Sequence, residues 1–331
     1  MPALESVDDR LQQAMKRVLL ATLPGMLALV WWSGWGVLVN LLLACGSALA
    51  IEAAVLRLRR YPLRPALSDG SALVSATLLA LALPAYCPWW LTVSAAAGAM
   101  LFGKHLYGGV GRNPFNPAML GFALVLVCFP QQFIHWPSAH PVSLADGLQQ
   151  IFDLGNRIER PDAWAGATVL DSLRINKSLT MDELFASDPA FGHFGGKGIE
   201  WVNLAFLAGG AFLLQQRIFS WHAPVGMLGS LFMISLLCWN GSGSDSNGSP
   251  LFHLLSGASM LAAFFIVTEP ISGAKSPRAR LLFGAGVGVL TYVIRTWGGY
   301  PDGVAFAVLL MNLCVPALER LVTRQPELHR P

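Results

Sequence analysis

The chain has 331 residues, a mean hydropathy of +0.53, 54% hydrophobic residues and 12% charged ones, where soluble domains carry roughly 25% charged residues. That balance excludes a water-soluble globule and reads as an all-α polytopic membrane protein, because the alternation a closed barrel needs is missing. The formal charge of +3 reflects loop arginines that orient helices and not a nucleic-acid partner.

In chain order, residues 1–17 lack the basic, apolar and small-residue succession of a cleaved leader, so the first apolar stretch is expected to stay as a span. Apolar segments then run over 18–33, 35–56, 70–84, 88–102 and 117–129. After a long polar interval they resume over 201–215, 222–239, 251–268, 280–296 and 303–318. About ten transmembrane helices follow. The expected domains are a first five-helix repeat over 1–129, an extramembrane connection over 130–200 and a second five-helix repeat over 201–331.

Lysines and arginines such as Arg57, Arg59, Arg60, Arg64, Lys104 and Arg112 fall on the side that also holds both termini. Fewer, among them Arg157, Arg160, Arg174, Lys177, Lys197 and Arg295, fall on the other. Both termini are therefore expected in the cytoplasm and the 130–200 connection in the periplasm. Pro84 and Pro270 share a spacing with Asn116 and Asp302, and the stretches around them are alike in kind. With five spans per half, equivalent elements lie on opposite membrane sides, the arrangement of inverted repeats. The third and fifth segments of each half are short or interrupted by Gly and Pro, as half-helices lining an ion or substrate path are.

The connection carries two helix-start signals, Ser143 ahead of Asp146 and Thr180 ahead of Glu183, so it is expected to fold. Between them lies DAWAGAT (162–168), where Ala165, Gly166 and Ala167 put little bulk ahead of Thr168. An acceptor for covalent modification has this form, with Asp162 helping to bind the modifying enzyme, although a small-residue turn before a threonine is also commonplace. Glu52, Asp69, His105, Asn116, Glu269 and Asp302 are candidates for an ion route, because polar groups inside a membrane are costly unless used. Simpler roles compete: Glu52 pairing with Arg57, Asp69 capping the helix after Gly70, and Lys104 and Arg112 enforcing topology. Cys45, Cys87, Cys128, Cys238 and Cys314 lie far apart without metal-ligand spacing and read as small buried hydrophobes. SGAS (256–259) echoes the threonine motif inside an apolar segment and reads as small-residue helix packing. NPA (116–118) resembles an aquaporin signature in a single copy, which keeps a non-redox channel or transporter for a small solute as the alternative function.

DAWAGAT is similar to the Asp-x-x-Ser-Gly-Ala-Thr flavinylation motif of a family of bacterial membrane proteins. That family includes the D subunit of the Rnf electron transport complex and the B subunit of the sodium-translocating NADH:quinone reductase. GKHLYGGVGRNPFNPAML (103–120), SGASMLAAFFIVTEPISG (256–273) and GGYPDGVAFAVLLMN (298–312) resemble the family's other hallmarks over most of the chain. Ala165 departs from the usual serine. The resemblance implies FMN held on Thr168 by a phosphoester that a dedicated flavin transferase makes, with Asp162, Gly166 and Ala167 as the rest of the motif. It further implies an inner-membrane complex coupling electron transfer between NADH and ferredoxin to Na+ or H+ movement, with other subunits, one of them also flavin-bearing, and lipids as partners. A second, non-covalent flavin such as riboflavin is expected near 103–118. The chain itself is not expected to bind NADH, since its glycines form no strand–GxGxxG–helix unit.

Overall fold

The computed structural model describes residues 2–109, 111–134, 136–137, 142–153, 165–176, 178–300 and 302–323. They form two compact units, one of residues 1–113, 117–167 and 208–218, the other of 114–116, 168–207 and 219–331.

The first unit holds α1 (Pro2–Ser33), α2 (Gly36–Leu58), α3 (Leu63–Ser68), α4 (Ser71–Ala82), α5 (Trp89–Gly98), α6 (Pro117–Cys128) and α7 (Leu144–Phe152). α5 continues into a π-helical turn, Ala99–His105. α2 buries one stripe at every fourth residue, Gly36, Asn40, Ala44, Ala48, Glu52 and Leu56, and this stripe packs on α4 and α5. Its other faces expose leucines such as Leu42, which suits lipid contact. Ala44 and Ala48 let backbones approach, the usual basis of helix association where lipid removes the hydrophobic drive. Asn40 sits in that stripe as an internal tie. Its Nδ2 donates to Pro84 O (2.8 Å) beyond α4, and its Oδ1 accepts from Thr92 Oγ1 (3.2 Å) in α5. Away from these helices, β1 (Trp136–Pro137) and β2 (Ala165–Gly166) form a two-residue antiparallel ladder.

The second unit contains α8 (Val169–Ile175), α9 (Met181–Ser187), α10 (Ile199–Gln215, whose last residues count with the first unit), α11 (His222–Leu237), α12 (Pro250–Leu255), α13 (Ser259–Leu261), α14 (Pro277–Trp297) and α15 (Val304–Thr323). α13 runs into a second π-helical turn, Ala262–Ile266. α11 packs along α14, and α14 on α15. Gly226, Gly284 and Gly288 make the first contact possible, since a Cβ at any of them would run into backbone atoms of the facing helix.

A helix occupies each of the ten expected apolar segments, and four of them, α1 from Leu11, α2, α14 and α15, are long and apolar enough to cross a membrane. α2 and α11 begin at Gly36 and His222, the same spacing that relates Pro84 to Pro270. The third segment of the second half is broken between α12 and α13, and α4 and α6 have 12 residues each. The fifth segment of the second half differs from expectation: α15 is an unbroken 20-residue helix with Pro316 inside it. The Gly-Pro interruption lies ahead of α15, and Gly303 serves close contact with α14, where a Cβ would meet Ile294 and the carbonyl of Thr291.

The helices of the 130–200 connection begin where the hydroxyl residues direct. Ser143 caps α7 by accepting from Asp146 N, and Thr180 and Glu183 form a complete capping box on α9. Val169, Leu170 and Leu173 of α8 join Met181, Leu184, Phe191 and Phe252 in one buried apolar cluster. This cluster is the reason so short a helix as α8 holds its place, because isolated helices of that length are unstable in water.

Candidate functional site

Thr168 is the N-cap of α8, with φ −68° and ψ 157°. Its Oγ1 accepts from Asp171 N (3.2 Å) and donates to Asp171 Oδ2 (2.9 Å). Asp171 Oδ1 is held by Arg174 Nη2 at 2.6 Å, and Arg174 Nη1 donates to the carbonyls of Gly298 (2.8 Å) and Tyr300 (3.0 Å). Thr168 is half-buried, whereas Gly166 and Ala167 are exposed. Among the described residues nothing stands within 4 Å of where a Gly166 Cβ would be. Asp162 lies outside the described residues, as do Arg157, Arg160 and Lys177. The capping role is open to sequence reading, because Thr168 stands three positions ahead of Asp171 just as Thr180 does ahead of Glu183. Arg174 is more than the topology marker its sequence position suggests, since its partners come from a distant stretch of chain.

The rival SGAS stretch is not a helix-packing patch. It forms the break between α12 and α13, and both Ser256 and Ser259 are fully buried. Gly257 has φ +59°, and a Cβ on it would meet the side chains of Asp302 and Arg295. Arg295, expected as a loop charge, is instead an interior residue of α14. It donates through Nε to Asp302 Oδ1 (2.8 Å), through Nη2 to Asp302 Oδ2 (3.1 Å) and Ser256 O (3.3 Å), and through Nη1 to His253 O (2.8 Å) and Ser259 Oγ (3.0 Å). Asp302 Oδ2 also accepts from Ala258 N at 2.9 Å. The pair thus takes up backbone groups that the helix break sets free, as irregular backbone inside a membrane requires.

Glu269 and Asn116 share a different network. Glu269 Oε2 accepts from Ser272 N (2.9 Å) and from the Ser272 hydroxyl. Ser272 O accepts from Asn312 Nδ2 (3.1 Å), Asn312 Oδ1 accepts from Asn116 N (3.0 Å), and Asn116 Nδ2 donates to Ile266 O (3.4 Å) at the end of the second π-helical turn. Ser272 and Asn312 carry no charge, so a search for ionisable residues passes over them. Asp69 Oδ1 accepts from Ser71 N (2.7 Å) and Ser71 Oγ (2.6 Å) at the start of α4, where the N-cap position itself is Gly70 and not Asp69.

Glu52 does not pair with Arg57. Its partner is the ammonium of Lys104, which also donates to Ser71 Oγ (2.8 Å), and both side chains are almost completely buried. Lys104 therefore neutralises an interior carboxylate, and the topology reading of that residue is replaced. His105 Nε2 lies 3.7 Å from Glu52 Oε1. Among the cysteines, Cys87 is buried, Cys45 and Cys238 are half-buried, and Cys128 and Cys314 are exposed. The last two sit on outward faces of apolar helices, where a small hydrophobe meets lipid as readily as core.

Comparison with known proteins agrees with the resemblance. A family model described as "NQR2, RnfD, RnfE family" matches residues 3–327. The chain is 64% identical over 311 residues to a protein of Ectopseudomonas mendocina named as the D subunit of an ion-translocating oxidoreductase complex, covering 94% of this chain and 90% of that one. Proteins of the same name from Pseudomonas aeruginosa and Cellvibrio japonicus are 62% identical over 312 residues (94% and 90% covered) and 46% identical over 332 residues (97% and 92% covered). With the match running almost from end to end, the chain belongs to the NQR2, RnfD, RnfE family of membrane proteins.

Proposed function

We propose that this chain is the D subunit of an ion-translocating oxidoreductase complex in the bacterial inner membrane, and that it relays electrons through FMN esterified to Thr168. The observation that carries the flavin reading is the surface around that hydroxyl. Gly166 and Ala167 are exposed, and among the described residues nothing stands within 4 Å of a Gly166 Cβ, which supports the approach of a second protein to this stretch. That protein is the flavin transferase. Bound FMN supplies the one- and two-electron chemistry, and the chain supplies place and surroundings. α8 fixes the attachment oxygen through its apolar face, and its aqueous setting spares a phosphodiester the cost of a charge among lipid tails.

In this reading both termini are cytoplasmic, the 130–200 connection is periplasmic, and the two five-helix sets are inverted repeats. The partners are the remaining subunits of the complex, a second flavin-bearing one among them, together with lipids, and a riboflavin is held near 103–118. The Na+ or H+ route is assigned to the Glu269–Ser272–Asn312–Asn116 network. Asp302 keeps both oxygens committed to Arg295, and Asp69 turns Oδ1 to Ser71 at the start of α4, so we assign them to the fold.

Intact-mass measurement and in-gel flavin fluorescence of the purified chain, made with its transferase, test the assignment beside Thr168→Val. The wild type is expected to carry the added mass of FMN and to fluoresce, and the variant to do neither. A fluorescent variant moves the attachment elsewhere, and a colourless wild type removes the flavin reading.

A further inference from the structure

We infer that Asp171 is the group that takes the proton from the Thr168 hydroxyl during flavin attachment, with Arg174 as the residue that aims it. The inference rests on Thr168 being the attachment site.

Among the described residues three hydroxyl caps have a carboxylate three residues on: Ser143 with Asp146, Thr168 with Asp171, and Thr180 with Glu183. At Thr180 the carboxylate oxygen that meets the hydroxyl also accepts from the cap's own backbone N–H at 2.8 Å, and it serves the helix end. At Thr168 the carboxylate is held from behind. Arg174 grips Oδ1, and Arg174 is itself pinned to two backbone carbonyls of the α14–α15 connection. Oδ2 is thereby aimed at the Thr168 hydroxyl, whose proton already lies along that line. Asp171 is 13% exposed and Arg174 23%, sheltered yet within reach of a docked enzyme. The sequence around the other two caps lacks the small residues that precede Thr168.

The chemistry needs such a group. Thr168 Oγ1 attacks the flavin-side phosphorus of a flavin dinucleotide held by the transferase. An O–P bond forms to the threonine, the pyrophosphate P–O bond breaks, AMP leaves, and the hydroxyl proton passes to Asp171 Oδ2 and then to water. No electrons change hands. Phosphoryl transfer runs through a loose transition state in which positioning dominates, and an aspartate is a sufficient acceptor for the hydroxyl proton. Such acid–base assistance is typically worth about 10²–10⁴-fold in rate.

The test uses the full chain purified from cells lacking the transferase, then given transferase, flavin dinucleotide and Mg2+, with the FMN mass followed against time. Asp171→Asn keeps an acceptor for the hydroxyl bond but cannot take its proton, and it is expected to slow attachment by about 10²-fold. Asp171→Glu is expected to recover part of the rate. Amide exchange over 169–175 reports whether α8 stays folded. Should α8 fray in Asp171→Asn, Asp171→Glu decides, and a folded Asp171→Glu no faster than Asp171→Asn overturns the inference. Attachment to a folded Asp171→Asn at the wild-type rate also overturns it while leaving the site intact. Equal labelling of Thr168→Val overturns instead the reading beneath it.

Discussion

Arg295 is the most completely committed charge in the second unit, and replacing its partner gives a sharp test of what Asp302 does. Asp302→Asn removes the counter-charge from a guanidinium whose side chain is 0% exposed. The Nε and Nη2 bonds at 2.8 and 3.1 Å both weaken, and the bond from Ala258 N loses its charged acceptor. Hydrogen bonds to charged groups contribute about 1.5–3 kcal/mol each, and stranding one member of a buried ion pair costs about 3–5 kcal/mol. The lower figure, at roughly 2–4 °C per kcal/mol for a unit of this size, lowers the melting temperature by about 6–12 °C. Thermal melting of the purified chain measures this, and Arg295→Gln with the double variant completes a cycle whose coupling energy is expected near about 2 kcal/mol. Since Asp302 serves the fold, Asp302→Asn should reduce ion transport and electron transfer together, in proportion to the folded protein that remains. A variant that melts like the wild type, or that loses ion transport alone at full protein level, refutes the reasoning.

Glu269→Gln, by contrast, should lower ion transport more than NADH- or ferredoxin-linked electron transfer, measured in the same vesicles, and equal loss of both removes Glu269 from the route. Gly288→Ala should cost about 1–3 kcal/mol by overpacking, because its Cβ would press on Met227 O and Leu231 N, whereas Gly229→Ala, with nothing within 4 Å, should be neutral within about 0.5 kcal/mol. Melting of the two variants side by side checks the helix contact. The Thr180 backbone N–H, followed by its hydroxyl, holds the Glu183 carboxyl below its ordinary value of 4.5. A carboxylate lowered in the folded state stabilises above its unfolded value and loses that effect as the pH falls through the folded one. Amide protection over Met181–Ser187, taken relative to the intrinsic exchange rate at each pH, should therefore fall below pH 4.5, and it should lose that step in Glu183→Gln.

The helices are legible in the sequence because their cause is local: apolar runs of the right length, and hydroxyl–carboxylate pairs at cap spacing. Helix positions follow from those signals, and so do the caps at Ser143 and Thr180. Partnerships are not legible in the same way. Lys104 and Glu52 are 52 residues apart, and nothing in either neighbourhood marks the other, so the nearer Arg57 is the natural expectation. Arg295 and Asp302 are only seven apart, yet the pairing depends on a break between α12 and α13 that comes from another stretch of chain. α15 shows the reverse error. Gly303 looks like a helix breaker by type, but in the folded chain its missing Cβ lets α15 lie against α14. Glycine can serve conformation or contact, and only the neighbour it meets decides which.

Thr168 and the broken helix share one set of supports. Arg174 orients Asp171 beneath Thr168 and, with its other nitrogen, holds Gly298 and Tyr300, the turn that leads to Asp302. Leu170, two residues past the threonine, lies against Gly257, the pivot of the break that Asp302 and Arg295 fill. In the proposed reading, a group esterified to Thr168 would be fixed at its root by charge-assisted bonds and by the apolar cluster around Phe252. Such interior packing does not yield by the several ångströms an electron carrier needs to change partners. On the proposal that FMN is esterified there, whatever movement electron relay requires would arise in the flexible arm beyond the ester, while the protein end stays registered to the helix break.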